Sequence, residues 1–482
     1  MATPMRAIPR PVEAVLARRP ELRDVRFAAI VLFAALTLSM LVGQERWQAA
    51  GCLATVAATV TLYVRWPPAG LVLLLALWIV APFVRRVLDL VTYTSGSDLL
   101  SVAPFIATGM VGLAAWQRLR PIRTPALVAA LALAGLALGV PTGLGETLPL
   151  LYATLAYSAG VMALFIGYSD WRDGRPVVER ILLVLVPLAA LYAIWQYFLP
   201  VLPAWDELWL RTVQLASVGT KENGDFRAFG PLNSPATLAA VSAVLVAMVV
   251  MRDRIDPWRI AAGGLAGVAL ALTFVRSAWI GLVLGLLLAV LVARGIGGLR
   301  LAALAAVVGL LFATVGSETG ATGAVVDRAS TLTDVESDVS FQERFETLVE
   351  TVPEAVTAPL GHGLGSAGQA SQLAGQQNFD VIDNGYVMIL YQTGLVGFLL
   401  TLGPVGYVVW MAMTRFTPDQ RRRALPLLAG LLTLAVMLAS GDVLYGITGV
   451  LVWYCVGGLL AIDREQRVET RPRWSRASAA RG

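Results

Sequence analysis

The residues of this chain best suited to chemistry are a few arginines, an aspartate–asparagine pair and one histidine. Arg227 lies in Phe226-Arg-Ala-Phe-Gly-Pro-Leu-Asn-Ser-Pro235, and Arg276 in Thr273-Phe-Val-Arg-Ser-Ala-Trp279. Asp383-Asn-Gly-Tyr386 opens a long apolar run, and the single histidine, His362, sits in Pro359-Leu-Gly-His-Gly-Leu-Gly-Ser366. A guanidinium stays charged when partly desolvated and grips phosphate oxygens with two parallel donors. A carboxylate at a helix start can take a proton from a hydroxyl. One such base and two cations suit transfer of a group away from a diphosphate.

Each residue also has a plainer reading. Arg276 stands between two apolar runs with almost no loop, where an arginine can snorkel to headgroups; a charge within the membrane is also a fair functional candidate. Arg227 reads either as a loop cation or as a clamp near the start of the next helix, which Asn233 and Ser234 are placed to cap. Arg85 and Arg86 suit a diphosphate or, equally, anchorage to lipid phosphate. Arg344 reads as the solvated face of a helix. Asp383 and Asn384 are preferred N-cap types. His362, the one imidazole, is a candidate catalytic base, although it is flanked by glycines, which place backbone rather than side chains. Gly361-x-Gly-x-Gly365 lacks the strand–turn–helix setting of a nucleotide fingerprint. No metal-ligand pattern is visible; Asp334, Glu336 and Asp338 qualify by charge alone.

The elements that must position these residues are membrane helices. The 482 residues are 57% hydrophobic and 14% charged, with mean hydropathy +0.71, against about 25% charged for soluble domains. Apolar runs near the roughly 20 residues needed to cross a bilayer fall at 27–43, 47–64, 68–83, 99–115, 124–140, 147–167, 178–199, 234–251, 260–275, 277–293, 300–316, 384–412, 424–440 and 445–462. The predicted class is an all-α, polytopic membrane protein with 12–14 spans. With the N-terminus in the cytoplasm, 28 of the 37 basic residues fall on inside segments, as the positive-inside rule requires. Both termini are then cytoplasmic and the arginine motifs face outward. Cys52 and Cys455 lie in apolar runs, which argues against a disulfide. The first run lacks a convincing signal-peptide exit site.

The expected organisation is a basic N-terminus over 1–26, spans over 27–316 with an outer loop at 200–233, a large outer loop over 317–383, three last spans over 384–462 and a basic tail over 463–482. Trp205 and Trp209, four apart, suit the headgroup layer. Ser340-Phe-Gln-Glu343 reads as a capping box. Phe341, Phe345, Leu348 and Val352 then predict an amphipathic helix over 341–352, ended by Pro353 and Pro359.

The four motifs, with Gly394-Leu-Val-Gly397 completing the last, occur in an order and sidedness that resemble the O-antigen ligase and polymerase-like membrane proteins, over about residues 195–400. The resemblance implies glycan transfer from an undecaprenyl-diphosphate-linked oligosaccharide donor at the outer face of the cytoplasmic membrane, to a glycan or lipid acceptor. It implies a metal-independent, inverting glycosyltransferase with no cofactor, membrane lipids around it and no nucleic acid. It gives Arg227 and Arg276 the diphosphate. Ligases of this kind typically carry a histidine just before the asparagine at the late helix. Here that position is Asp383, so the base role falls to Asp383, with Asn384 orienting the acceptor, and a polymerase-like member is favoured. The alternative class is a transporter or flippase for a lipid-linked glycan, though no two-half symmetry is visible.

Overall fold

Where apolar residues run around the whole circumference of a segment, only a helix satisfies its backbone polar groups without water. The computed structural model describes residues 44–92, 99–119, 122–172, 174, 176–213, 216–221, 226–252, 256–293, 349–374 and 382–469. Among them are no strand, the end of a helix over 349–357 and 14 further α-helices. They are α1 (Gln44–Arg65), α2 (Pro67–Thr92), α3 (Leu99–Leu119), α4 (Arg123–Leu138), α5 (Val140–Gly143), α6 (Thr147–Arg172) and α7 (Val177–Phe198). There follow α8 (Ala204–Val213), α9 (Pro235–Val250), α10 (Pro257–Leu272), α11 (Arg276–Ala293), α12 (Gly385–Thr414), α13 (Pro418–Leu438) and α14 (Gly446–Glu469).

Six stretches are long and apolar enough to cross a membrane: Pro67–Val91, Arg123–Gly143, Thr147–Arg172, Val177–Phe198, Gly385–Thr414 and Gly446–Arg464. Every expected span falls on a helix except 27–43 and 300–316, which lie outside the described residues. The chain is an all-α polytopic membrane protein. Large apolar side chains such as Leu53, Leu127, Leu188 and Leu291 point outward, as a lipid-facing surface requires.

The centre is α14, sheathed by α6, α13 and other helices. Its crossing with α6 is tight because a glycine of each helix meets the backbone of the other. A Cβ on Gly167 would meet Tyr454 O at 2.1 Å, and one on Gly457 would meet Leu164 O at 2.0 Å. Small residues allow such approach where no hydrophobic effect drives helices together. The two helices run in the same direction, and α4 and α12 run antiparallel through Gly135, which faces Gly397 and Thr401.

Three local expectations change. Arg85 and Arg86 belong to α2 itself, which continues past the apolar run to Thr92. Trp209 is buried in a cluster with Val218, Phe226 and Phe229 rather than set in headgroups; a small lobe at the bundle end uses it as core. The helix expected to end at Pro353 continues through it to residue 357. The capping box at 340–343, Phe341, Phe345, Leu348, Arg344, Asp334, Glu336 and Asp338 lie outside the described residues.

Candidate functional site

Two structured ends of chain segments meet where the arginine motifs lie. The Ala228 N–H donates to Leu272 O at 3.0 Å, tying the 226–234 loop to the C-terminus of α10. Four residues on, Arg276 begins α11. The corner between α10 and α11 is made in three residues because Phe274 takes a left-handed conformation, φ +53°. That conformation costs a non-glycine residue about 1–2 kcal/mol. Its ring lies 6.0 Å from that of Tyr197, which in turn neighbours Phe226. Arg227 is fixed through its own N–H, which donates to Val218 O at 2.8 Å. Both Arg227 and Arg276 are partly exposed. On the other side, Ser234 caps α9 by accepting from Ala236 N at 3.2 Å.

Arg86 has a different station. It is fully buried, with Nη1 2.8 Å from Asp206 Oδ1 and Nη2 donating to Gly230 O at 2.7 Å. Its guanidinium faces the rings of Phe229 and Trp209 at 4.9 and 5.5 Å. Tyr192 OH and Gln196 Nε2 also donate to Asp206, at 2.8 and 2.7 Å. Gln196 Oε1 accepts from the N–H groups of Phe229 and Gly230. Burial pushes the Asp206 carboxyl up, while Arg86 and the two donors oppose that shift. Arg86 thus pins the loop that carries Arg227 and presents nothing to a ligand. Arg85 lies at the surface of the same helix, 3.4 Å from Asp89 and 3.2 Å from Ser101 Oγ.

Lys221, the one lysine, closes the C-terminus of α7. Its Nζ donates to Gln196 O at 3.0 Å, to Leu199 O at 2.9 Å and to Tyr197 O, and stands 4.3 Å from the Phe226 ring centre. Desolvation lowers its ammonium to about 8.

The second focus is the head of α12. Asn384 is the N-cap, its Oδ1 accepting from Tyr386 N at 3.0 Å and Val387 N at 3.2 Å. Asp383 stands beside it, partly exposed. Gly385 lies against the α13–α14 turn, where a Cβ would meet Gly441 O at 2.8 Å. The next residue of that turn is Asp442. It accepts from Tyr157 OH at 2.7 Å and from Leu444 N at 3.1 Å. Burial pushes its carboxyl up to about 6.

The glycine-rich turn docks deeper along α12. Helix α12 is broken at Gly394, φ +70°, ψ 177°. Pro359–Gly361 fills the break: a Cβ on Gly394 would meet Pro359 O at 2.2 Å. The His362 N–H donates to Tyr391 O at 2.8 Å, and Leu364 N to Gly139 O at 2.7 Å. The His362 imidazole stacks on Tyr391 at 4.2 Å, with Nε2 3.7 Å from Glu354 Oε1. Gln392, fully buried, accepts from Gly365 N at 2.8 Å and reaches Tyr157 OH at 3.5 Å. A chain of polar contacts therefore joins the turn to Asp442.

Both foci lie at one end of the bundle. The first turns of α11 pack on Thr433 and Met437 of α13 through Gly281 and Gly285. Tyr386 OH donates to Ala435 O of the same helix at 2.8 Å. Arg276 and Asn384 are thus gathered around the C-terminal part of α13, and Arg227 joins through Leu272. Gln196, Asp206, Tyr157, Gln392 and Asp442 escaped the sequence reading. The signal for the two glutamines was their place inside apolar runs, since a buried amide must find partners.

The class defined by this fold and site is a multi-pass membrane protein with arginines and carboxylates gathered at one bundle end. Residues 261–402 match the family model described as O-Antigen ligase, which supports an O-antigen ligase/polymerase-like family. The matched segment takes in Arg276, His362, Asp383 and Asn384, and leaves Arg227, Arg85 and Arg86 outside. No curated protein and no solved structure matches the chain.

Proposed function

We propose that the protein transfers or polymerises a glycan from an undecaprenyl-diphosphate-linked saccharide at the outer face of the cytoplasmic membrane. The observation that carries this reading is the hydrogen bond from Ala228 to Leu272, which sets the Arg227 and Arg276 motifs side by side. The match to the O-antigen ligase model over 261–402 supports the reaction class.

In this reading Arg227 and Arg276 hold the diphosphate and stabilise the charge that grows on it as the sugar departs. Asp383, beside the capped start of α12, takes the proton of the acceptor hydroxyl as the sugar's C1 forms its new bond. Asn384 spends its side-chain oxygen on the cap, which leaves its amide nitrogen for the acceptor. Asp442 is a second carboxylate at the same place. His362 and the glycine turn position α12. Arg85 and Arg86 act through the scaffold, Arg86 by holding the Arg227 loop.

Purified protein in liposomes, given a defined lipid-linked oligosaccharide and no energy source, should form a new glycosidic bond. Movement of the lipid across the bilayer without bond formation would instead establish a flippase. Asp383→Asn should abolish transfer while Asp442→Asn retains part of it; the reverse order would move the base to Asp442.

A further inference from the structure

The end of the bundle opposite the glycine turn holds a cavity of about 160 Å³ between the start of α4 and the last turns of α6 and α14. Its polar lining is Arg123, Thr124, Tyr168, Asp463 and Arg464. Arg464 is oriented before any ligand arrives, because its Nη1 donates to Tyr168 OH at 3.0 Å. Arg123 and Arg464 are exposed, whereas Asp463 is 8% exposed and sunk in the wall. Among the described lining residues, two guanidiniums against one carboxylate leave a single net positive charge. A monoanion balances that charge; a dianionic phosphomonoester overshoots it.

The surroundings narrow the ligand further. One turn into the helix from Arg123, Leu127 is 59% exposed, and Ala130, Ala134 and Ala137 continue the same outward stripe. An acyl chain can lie along that stripe while its headgroup reaches the cavity. We propose that this cavity binds the phosphodiester headgroup of a monoanionic phospholipid, with Arg123 and Arg464 on the phosphate oxygens and an acyl chain along the outward face of α4. The site is separate from the transfer reaction and does not depend on it. A bidentate arginine suits phosphate better than a lysine would, and basic pockets at helix ends are a known means of holding anionic lipids.

The test uses full-length protein in neutral-lipid nanodiscs, titrated with phosphatidylglycerol, phosphatidylcholine or inorganic phosphate. Bound lipid is counted by native mass spectrometry and Tm is recorded. Phosphatidylglycerol should be retained and should raise Tm, with phosphatidylcholine and inorganic phosphate doing neither. Arg123→Ala with Arg464→Ala should weaken retention at least about tenfold, the loss expected for one charge-assisted contact. Both side chains are exposed, so the variant should fold, and its Tm without added lipid checks that. Equal retention of phosphatidylglycerol by wild type and the double variant overturns the proposal. So does a Tm response to inorganic phosphate that phosphatidylglycerol does not exceed.

Discussion

At the residue scale, the arginines divide by what surrounds them. Arg86 is enclosed by Asp206, Gly230 O and three aromatic rings, while Arg227 and Arg276 remain partly exposed at the meeting of two segments. Removing one partner of a buried ion pair strands the other charge, at a cost of about 3–5 kcal/mol. Arg86→Ala should therefore lower Tm and membrane yield sharply, and Arg86→Met with Asp206→Leu should lose less. Equal losses in both would deny the pair its role. The exposed motifs were legible because Arg, Asp and Asn stand out against an apolar background. The role of Arg86 was not, because its partner lies 120 residues away and pairing across that distance is a property of the fold. Asp442 gives a pH signature. Its folded value of about 6 exceeds the ordinary aspartate value of 3.8, so the native state binds the proton more tightly. Stability from this group is fully present below the lower value and declines as pH rises between the two. Thermal melts from pH 4 to 7 should show Asp442→Asn gaining on wild type through that window; parallel curves would contradict the assignment.

At the element scale, α12 is the piece most shaped by its breaks. Gly361, Gly363, Gly365 and Gly394 all take positive φ, and the turn occupies the gap left at residue 394. Gly394→Ala meets Pro359 O and adds the left-handed penalty, about 1–2 kcal/mol before any overlap. Gly403, in the same helix, has nothing within 4 Å of a Cβ, so Gly403→Ala should leave Tm unchanged or raise it slightly. A comparison of the two melts separates backbone need from composition. Glycine spacing in the sequence marked both stretches. It gave no sign that the turn would lodge in a broken helix, since apolar hydropathy runs unbroken across 384–412. Trp205 and Trp209 show the same limit: spacing four apart puts them on one face, but only the packed lobe decides whether that face meets lipid or Phe229.

At the scale of the molecule, the bundle is organised around α14 and collects its functional candidates at one end. Composition sufficed for the helical class, and run lengths located each described span, because the bilayer sets one length for all. The order in which helices pack was not legible. It rests on glycine–backbone contacts such as Gly167 with Tyr454, which leave no periodic trace. The central claim is that Arg227 and Arg276, on segments tied together by the Ala228–Leu272 hydrogen bond, hold a lipid diphosphate during glycan transfer. The most direct measurement is the rate of transfer from a defined lipid-linked oligosaccharide by reconstituted Arg227→Ala and Arg276→Ala proteins, each first shown to match wild type in Tm. Losing a diphosphate contact made in the transition state should cost each variant on the order of a hundredfold or more. Wild-type product yield and chain length in both variants would contradict the account.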